Sequence, residues 1–142
     1  MLSFSSFGST KHPLCDKMRR ATELARYADP TLIIDGEVQG DIAVNPKKLE
    51  AAFPFSPLQG GANVLIFPNL EASNIACKLL ASVGGAEAVG PILLGMAKPV
   101  HLLARGVEVE DIVNMTTIAV VDAQESTEPE GARVALAAAA VG

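Results

Sequence analysis

Tryptophan is missing from the 142 residues, and aromatic residues make up only 4% of them. Hydrophobic residues nonetheless account for 49%, so the apolar side chains are mostly those of alanine, valine, leucine and isoleucine. This much aliphatic side chain can form a core, which argues against intrinsic disorder. A composition rich in aliphatic and poor in aromatic residues is typical of helices packed on buried parallel strands. We therefore predict an α/β domain.

Cysteine and long apolar runs are also scarce. Cys15 and Cys77 are the only cysteines, and neither belongs to a CxxC motif or lies in a histidine cluster. The sequence therefore predicts neither a disulfide framework nor a metal site. No stretch approaches about 18 uninterrupted apolar residues, and the first residues lack the basic and apolar regions of a secretion signal. We predict a cytoplasmic protein with no membrane partner.

A basic stripe is the third absence. The formal net charge is −5, and the 11 lysine and arginine residues are scattered along the chain. Nucleic acid is therefore not an expected partner, because no cluster of cations could neutralise a run of phosphates. A single phosphorylated ligand needs only a few local donors. The negative net charge therefore does not exclude a site for such a ligand.

Hydrophobic periodicity predicts alternating strands and helices. Strands are predicted at β-branched or alternating runs, in residues 1–5, 31–35 and 63–68. Helices are predicted where apolar residues recur at helical spacing, in residues 13–27, 70–83 and 107–124. Residues 45–62 should be an irregular connector with one or two helical turns, and 89–103 two short strands or a strand and a loop. This order predicts a three-layer α/β/α fold with a mostly parallel sheet.

The first candidate site is the serine-rich loop after the first predicted strand, because ligands bind at the carboxyl ends of parallel strands. The hydroxyls of Ser5, Ser6, Ser9 and Thr10 could bind a phosphate, and Gly8 would let the backbone approach it closely. A turn with Ser9 or Thr10 capping the next helix would have the same sequence. On spacing alone, that structural role is favoured.

Two further pairs of polar residues are candidates. Lys78 follows Asn74 by four positions, so both share one face of a predicted helix, although a solvated surface pair is the simpler interpretation. Arg105 follows an apolar run and precedes Asp111 in the first turn of the last predicted helix. Arginine could bind a phosphate or an oxyanion, and the carboxylate could accept a proton. An Arg–Asp ion pair with an acidic helical turn explains the same residues equally well.

Five blocks of sequence together resemble the phosphate acetyl/butyryltransferase family. They are MLSFSSFGS, DGEVQGD, NVLIFPNLEASNIACKLL, GGAEAVGPILLGMAKPVHLL and RGVEVEDIVNMT, and they occur in this order over residues 1 to about 125. The resemblance implies part of an isocitrate/isopropylmalate dehydrogenase-like fold, with acetyl-CoA and phosphate in a cleft between two lobes. It also implies a homo-oligomer, at least a dimer, with acetyl-CoA, CoA or acetyl phosphate as ligands and no permanently bound cofactor.

The resemblance covers only the C-terminal portion of the family domain. Residues 1–125 are therefore expected to be the C-terminal part of a phosphotransacetylase-type domain, and residues 126–142 an alanine-rich tail. We expect Met1 to be internal to a longer gene product or to mark a truncated one. The segment IVNMT is similar in sequence to the phosphotransacetylase-type domain of bifunctional bacterial malic enzymes.

The resemblance also implies roles for individual residues. Arg105 would hold the acetyl carbonyl or phosphate, and Asp111 would deprotonate the CoA thiol. The family's LSRG segment reads LARG here, so Ala104 lacks the hydroxyl that helps to position the transition state. Lys78 matches a lysine expected to face the cleft. The serine-rich loop, with Ser5, Ser6 and Ser9, resembles a loop near the phosphate.

Three functions follow as hypotheses. The first is a regulatory acetyl-CoA-binding module of an NAD(P)-dependent malic enzyme whose catalytic domain lies upstream. The second is an active phosphate acetyltransferase that transfers acetyl between acetyl phosphate and CoA. The third is a dimerisation or scaffold fragment without ligand affinity.

Overall fold

The computed structural model of the chain describes residues 1–103 and 105–127, except for the side chains of residues 125–127. Ala104 and most of the predicted tail therefore lie outside the described residues. The chain divides into two compact units, Met1–Gly84 and Gly85–Gly142. The first unit contains helices α1 (Pro13–Ala28), α2 (Gly40–Ala43), α3 (Pro46–Ala52) and α4 (Leu70–Val83), and the second contains α5 (Val109–Thr127).

The described residues form no β-sheet, so the prediction of a three-layer α/β/α fold with a mostly parallel sheet is wrong. Leu2 and Val38 form an isolated parallel bridge, and the Leu2 N–H donates to the Ile66 carbonyl at 2.8 Å. The chain enters the serine-rich loop soon after Leu2, and it enters α2 soon after Val38. Since a sheet needs several consecutive pairs, the three extended segments lie side by side without becoming strands.

Helix α1 confirms the predicted helix 13–27 to within one residue. Pro13 occupies the first turn, where its missing N–H is not needed. The expected cap at Ser9 or Thr10 was wrong, because the cap is His12, whose Nδ1 accepts from the Leu14 N–H at 3.2 Å. The helix buries Cys15, Met18 and Thr22.

A small apolar core holds the first unit together. Leu2, Val38 and Ala43 are buried, and the partly buried hydrophobic residues around them are Phe7, Ile42, Ala62, Leu65 and Phe67. Phe7 also packs against the rings of Phe53 and Phe55, with centroids 4.7 and 5.1 Å apart. These contacts place the serine-rich loop beside the connector, whose predicted helical turn is α3.

Helix α4 begins and ends where the sequence predicts. The Asn69 side chain accepts from the Ala72 N–H at 2.8 Å, and the helix terminates at Gly84. The apolar residues that recur along it at helical spacing are not buried, since Ile75 and Leu79 are 60% and 56% exposed. No helix among the described residues has the length and apolar character needed to cross a membrane.

In the second unit, the described residues between 89 and 103 form no strands, contrary to the prediction. Helix α5 begins two residues later than predicted and continues to Thr127, beyond the predicted end at Gln124. It buries Met115.

Candidate functional site

The serine-rich loop, residues 5–10, has a tightly determined backbone. Phe7 and Gly8 both have positive φ, 48° and 81°, and such a conformation is costly for a residue with a side chain. Ser5 and Ser6 are buried. The Ser5 hydroxyl accepts from the Thr10 N–H at 3.0 Å, and the Ser6 hydroxyl accepts from the Gln39 N–H at 3.1 Å. The structure therefore uses these two hydroxyls to hold the loop in place.

Glu37 lies beneath this loop and is fully buried. Its Oε1 accepts from the Gly8 N–H at 2.6 Å, and its Oε2 accepts from Arg19 Nε at 3.3 Å. Burial by itself would raise the pKa of Glu37. The hydrogen bonds from Gly8 and Arg19, together with the charge of Arg19, outweigh burial and hold that pKa below the 4.5 of an ordinary glutamate. The carboxylate is therefore ionised at neutral pH.

Asp35 is a second buried carboxylate, close to Glu37 in the chain. Its Oδ1 lies 2.6 Å from Arg26 Nη2, and its Oδ2 accepts from the Ser56 hydroxyl at 2.7 Å. Sequence reasoning assigned no role to Asp35 or Glu37. The available signal was the DGE tripeptide, in which two acids flank a glycine directly after an apolar run.

The outer face of the loop is open to solvent. Gly8, Ser9 and Thr10 are exposed, and they lie just before the N-terminus of α1. Ser9 Oγ lies 2.9 Å from Ser5 Oγ and accepts from the Ser6 N–H at 3.2 Å. Exposed hydroxyls beside a helix N-terminus suit an anion such as phosphate. The phosphate-binding role of the loop remains a prediction.

Asn74 and Lys78 lie on α4, in the same unit as the serine-rich loop. Both side chains are exposed, and their spacing of four residues puts them on one helix face. The N-terminal end of α4 is linked to α1, because Lys17 Nζ donates to the Pro68 carbonyl at 2.5 Å. The ligand-binding roles of Asn74 and Lys78 stay predictions.

Arg105 and Asp111 lie in the second unit. Asp111 Oδ2 accepts from the Glu108 N–H at 2.9 Å, which is one half of a capping box at the start of α5. No ion pair joins Arg105 to Asp111 within residues 105–127. Of the alternatives to catalysis, the acidic helical turn is therefore present and the ion pair is not.

The first unit also contains an apolar cavity of about 400 Å³. Its walls come largely from three apolar stretches, residues 1–2, 32–34 and 62–66. Asp35 and Asn63 are polar lining residues. None of the predicted site residues lines it, and its apolar walls do not suit a phosphate. No group of three or more metal-ligating side chains is found among residues 1–103 and 105–127.

Comparison with known proteins connects the chain to one family. A sequence profile described as Phosphate acetyl/butaryl transferase matches residues 1–120. The phosphate acetyltransferase of Acetivibrio thermocellus is 49% identical over 124 residues, which are 87% of this chain and 37% of that enzyme. The NADP-dependent malic enzyme of Escherichia coli is 47% identical over 130 residues, which are 91% of this chain but 17% of that enzyme.

Solved structures agree with the sequence comparison. A phosphotransacetylase from Streptococcus pyogenes has a TM-score of 0.79 and 42% identity, covering 91% of this chain and 38% of that one. A phosphotransacetylase from Staphylococcus aureus has a TM-score of 0.78 and 41% identity, covering 88% of this chain and 38% of that one. The chain thus spans well under half the length of these relatives.

Proposed function

Because the chain belongs to the phosphate acetyl/butaryl transferase family, we propose that residues 1–125 are part of an acetyl-CoA-binding domain that regulates a malic enzyme. The proposed ligands are acetyl-CoA, CoA and phosphate, and no cofactor is bound permanently. The proposed assembly is at least a dimer, in the cytoplasm. The malic enzyme of Escherichia coli supports this proposal, since its similarity extends over 91% of the chain.

Two features of residues 104–111 carry the choice of binding over catalysis. The residue before Arg105 is alanine, which has no hydroxyl to donate to a developing oxyanion. Loss of one such donor costs on the order of a hundredfold or more in rate. Asp111, the expected base, already accepts the Glu108 N–H with one oxygen. Both features favour a site that holds the ligand without transferring acetyl.

The second candidate function is phosphate acetyltransfer, and the 49% identity to the Acetivibrio enzyme favours it. In this reaction the CoA thiol would give its proton to Asp111. The sulfur would attack the acetyl carbonyl of acetyl phosphate, forming the thioester bond while the bond from carbon to the phosphate oxygen breaks. Arg105 would stabilise the charge on the departing phosphate.

The test is calorimetric titration of the 142-residue chain with acetyl-CoA, followed by an assay for thioester formation from acetyl phosphate and CoA. Regulation without catalysis predicts saturable binding and no thioester. Turnover that is lost in Arg105→Ala would instead establish the acetyltransferase. Arg20→Ala is the matched control, because Arg20 is exposed and its ion pair among the described residues is with Glu23 in its own helix. A stable oligomer that neither binds acetyl-CoA nor forms the thioester would support the scaffold function instead.

A regulatory role needs a further measurement on a malic enzyme that carries this domain. A ligand regulates an enzyme only if it binds two conformations with different affinity. Acetyl-CoA should therefore change the malate-oxidising activity of the whole enzyme. Arg105→Ala should reduce that response while the activity without acetyl-CoA is retained. Binding without any change in activity would contradict regulation.

A further inference from the structure

Glu37 fills a position that has the chemistry of an anion-binding site. Its Oε1 accepts from the Gly8 N–H at 2.6 Å and from the Ser5 hydroxyl at 3.4 Å, and its Oε2 accepts from Arg19 at 3.3 Å. A backbone amide, a hydroxyl and a guanidinium are the donors that proteins commonly use for phosphate or carboxylate. The protein thus supplies its own anion beneath the serine-rich loop.

The Glu37 carboxylate holds the part of the loop that has the least common backbone conformation. The bond from the Gly8 N–H pins a glycine at φ 81°, next to Phe7 at φ 48°. The Phe7 N–H donates to the Glu37 carbonyl at 2.8 Å, so Glu37 holds two consecutive amides. A strained residue such as Phe7 persists only when neighbouring groups hold it. Without the carboxylate, the Gly8 amide loses its acceptor and the loop can relax.

The serine hydroxyls are bound to one another within the loop. Ser5 Oγ lies 2.9 Å from Ser9 Oγ and 3.4 Å from Glu37 Oε1, and it accepts from the Thr10 N–H at 3.0 Å. Either serine can donate across the 2.9 Å contact. When Ser9 donates to Ser5, the Ser5 proton is available to Glu37 Oε1. Ser9 Oγ also accepts from the Ser6 N–H at 3.2 Å. Glu37 is thus connected through Ser5 to Ser9, which lies on the exposed side of the loop.

We propose that Glu37 is a positioning residue for anion binding, which holds Gly8 from beneath so that the exposed residues Gly8, Ser9 and Thr10 keep the loop conformation that receives a phosphate-bearing ligand. The inference rests on the proposed function, which names the ligand. Glu37 does not touch the phosphate, since its oxygens face Gly8, Ser5 and Arg19 inside the protein. It acts through the conformation of the loop.

The test compares Glu37→Ala and Glu37→Gln with the wild-type chain, using two readouts. The first is hydrogen exchange of the Gly8 amide by NMR, and the second is titration with inorganic phosphate and, separately, with acetyl-CoA. In Glu37→Ala the Gly8 amide should exchange at least roughly tenfold faster, and phosphate should bind roughly fivefold or more weakly. Glutamine can still accept from Gly8 with Oε1, so Glu37→Gln should keep slow exchange and most of the affinity.

Chemical rescue sharpens the comparison. Sodium formate can place a carboxylate beside Gly8 and Arg19 in Glu37→Ala, and it should restore slow exchange of the Gly8 amide. The same formate concentration applied to the wild-type chain measures any competition with phosphate. If Glu37→Ala does not fold, Glu37→Asp replaces it, since the shorter side chain keeps the charge but cannot reach Gly8 from the same backbone position. It should show fast exchange and weak phosphate binding.

Each result has a defined meaning. If Glu37 only stabilises the fold, Glu37→Ala lowers the unfolding midpoint but leaves phosphate affinity, measured well below that midpoint, unchanged. That result overturns the inference and leaves the proposed function standing. If the wild-type chain binds neither phosphate nor acetyl-CoA, the proposed function fails and the inference fails with it. Weak phosphate binding in Glu37→Ala that recovers in Glu37→Gln supports both.

Discussion

Arg26 Nη2 lies 2.6 Å from Asp35 Oδ1, and this ion pair joins the last turn of α1 to the segment that leads into Glu37. The same arginine donates to the Ile34 carbonyl at 2.9 Å. Asp35 has a side chain only 6% exposed and also accepts from Ser56 in the connector. One carboxylate thus ties together three parts of the first unit that are distant in sequence.

Removal of Asp35 should destabilise the first unit more than removal of Arg26. Asp35→Ala leaves Arg26 and Ser56 without their acceptor, and we expect a loss of roughly 2–3 kcal/mol in the free energy of unfolding. Arg26→Ala should cost less than Asp35→Ala, because Arg26 is half exposed and water can replace part of its contact with Asp35. Urea unfolding followed by circular dichroism measures both. Arg20→Ala, which breaks the exposed pair of Arg20 and Glu23, provides the control, and equal losses in all three variants would contradict the prediction.

Acid should remove the stabilisation that Glu37 provides. The folded protein holds the pKa of Glu37 below 4.5, whereas in the unfolded chain Glu37 protonates near that ordinary value. Between these two pKa values only the unfolded state binds the proton. The contribution is therefore complete above pH 4.5 and is lost as the pH falls through the lower, folded pKa.

The measurement is the free energy of unfolding at several pH values for the wild-type chain and Glu37→Gln. The wild-type advantage, which is the excess in free energy of unfolding over Glu37→Gln, should be constant from about pH 7 to about pH 5 and should shrink at lower pH. An advantage that grows on acidification would mean that the pKa of Glu37 is raised.

Asn69 should contribute to stability through the cap alone. Asn69→Ala removes the acceptor of the Ala72 N–H, and such a change costs about 1 kcal/mol. Asn74→Ala is the matched control, because it makes the same replacement at an exposed position inside α4. Alanine is the better helix former there, so this variant should be unchanged or slightly more stable. Equal losses in thermal unfolding would show that the cap contributes nothing.

Two substitutions at Asp111 separate its structural role from its proposed chemical role. Asp111→Asn retains an oxygen that can accept the Glu108 N–H, while Asp111→Ala removes it. We expect Asp111→Ala to lose about 1 kcal/mol of stability and Asp111→Asn less. If the chain transfers acetyl groups, both variants should lose turnover, since neither has a carboxylate base. Turnover that survives in Asp111→Asn would remove Asp111 from the mechanism.

Local sequence rules determined the boundaries of α1 and α4. The start of α1 at Pro13 and both ends of α4 were predicted, because each depends on residues within one helical turn. The family was also identified from ordered blocks of sequence, and the match over residues 1–120 confirms it. The candidate residues came from the same blocks, and their roles stay predictions.

Tertiary structure decided the rest, because pairing and burial depend on residues far apart in the chain. The apolar runs 31–35 and 63–68 have strand-like composition, but a strand also needs consecutive partners, and the described backbone provides one isolated bridge. Whether a loop hydroxyl faces a ligand or the protein cannot be read from its spacing. Ser5 and Ser6 are buried, with hydroxyls that contact Glu37, Gln39 and Thr10, whereas Ser9 is an exposed residue, and sequence spacing alone does not distinguish the three.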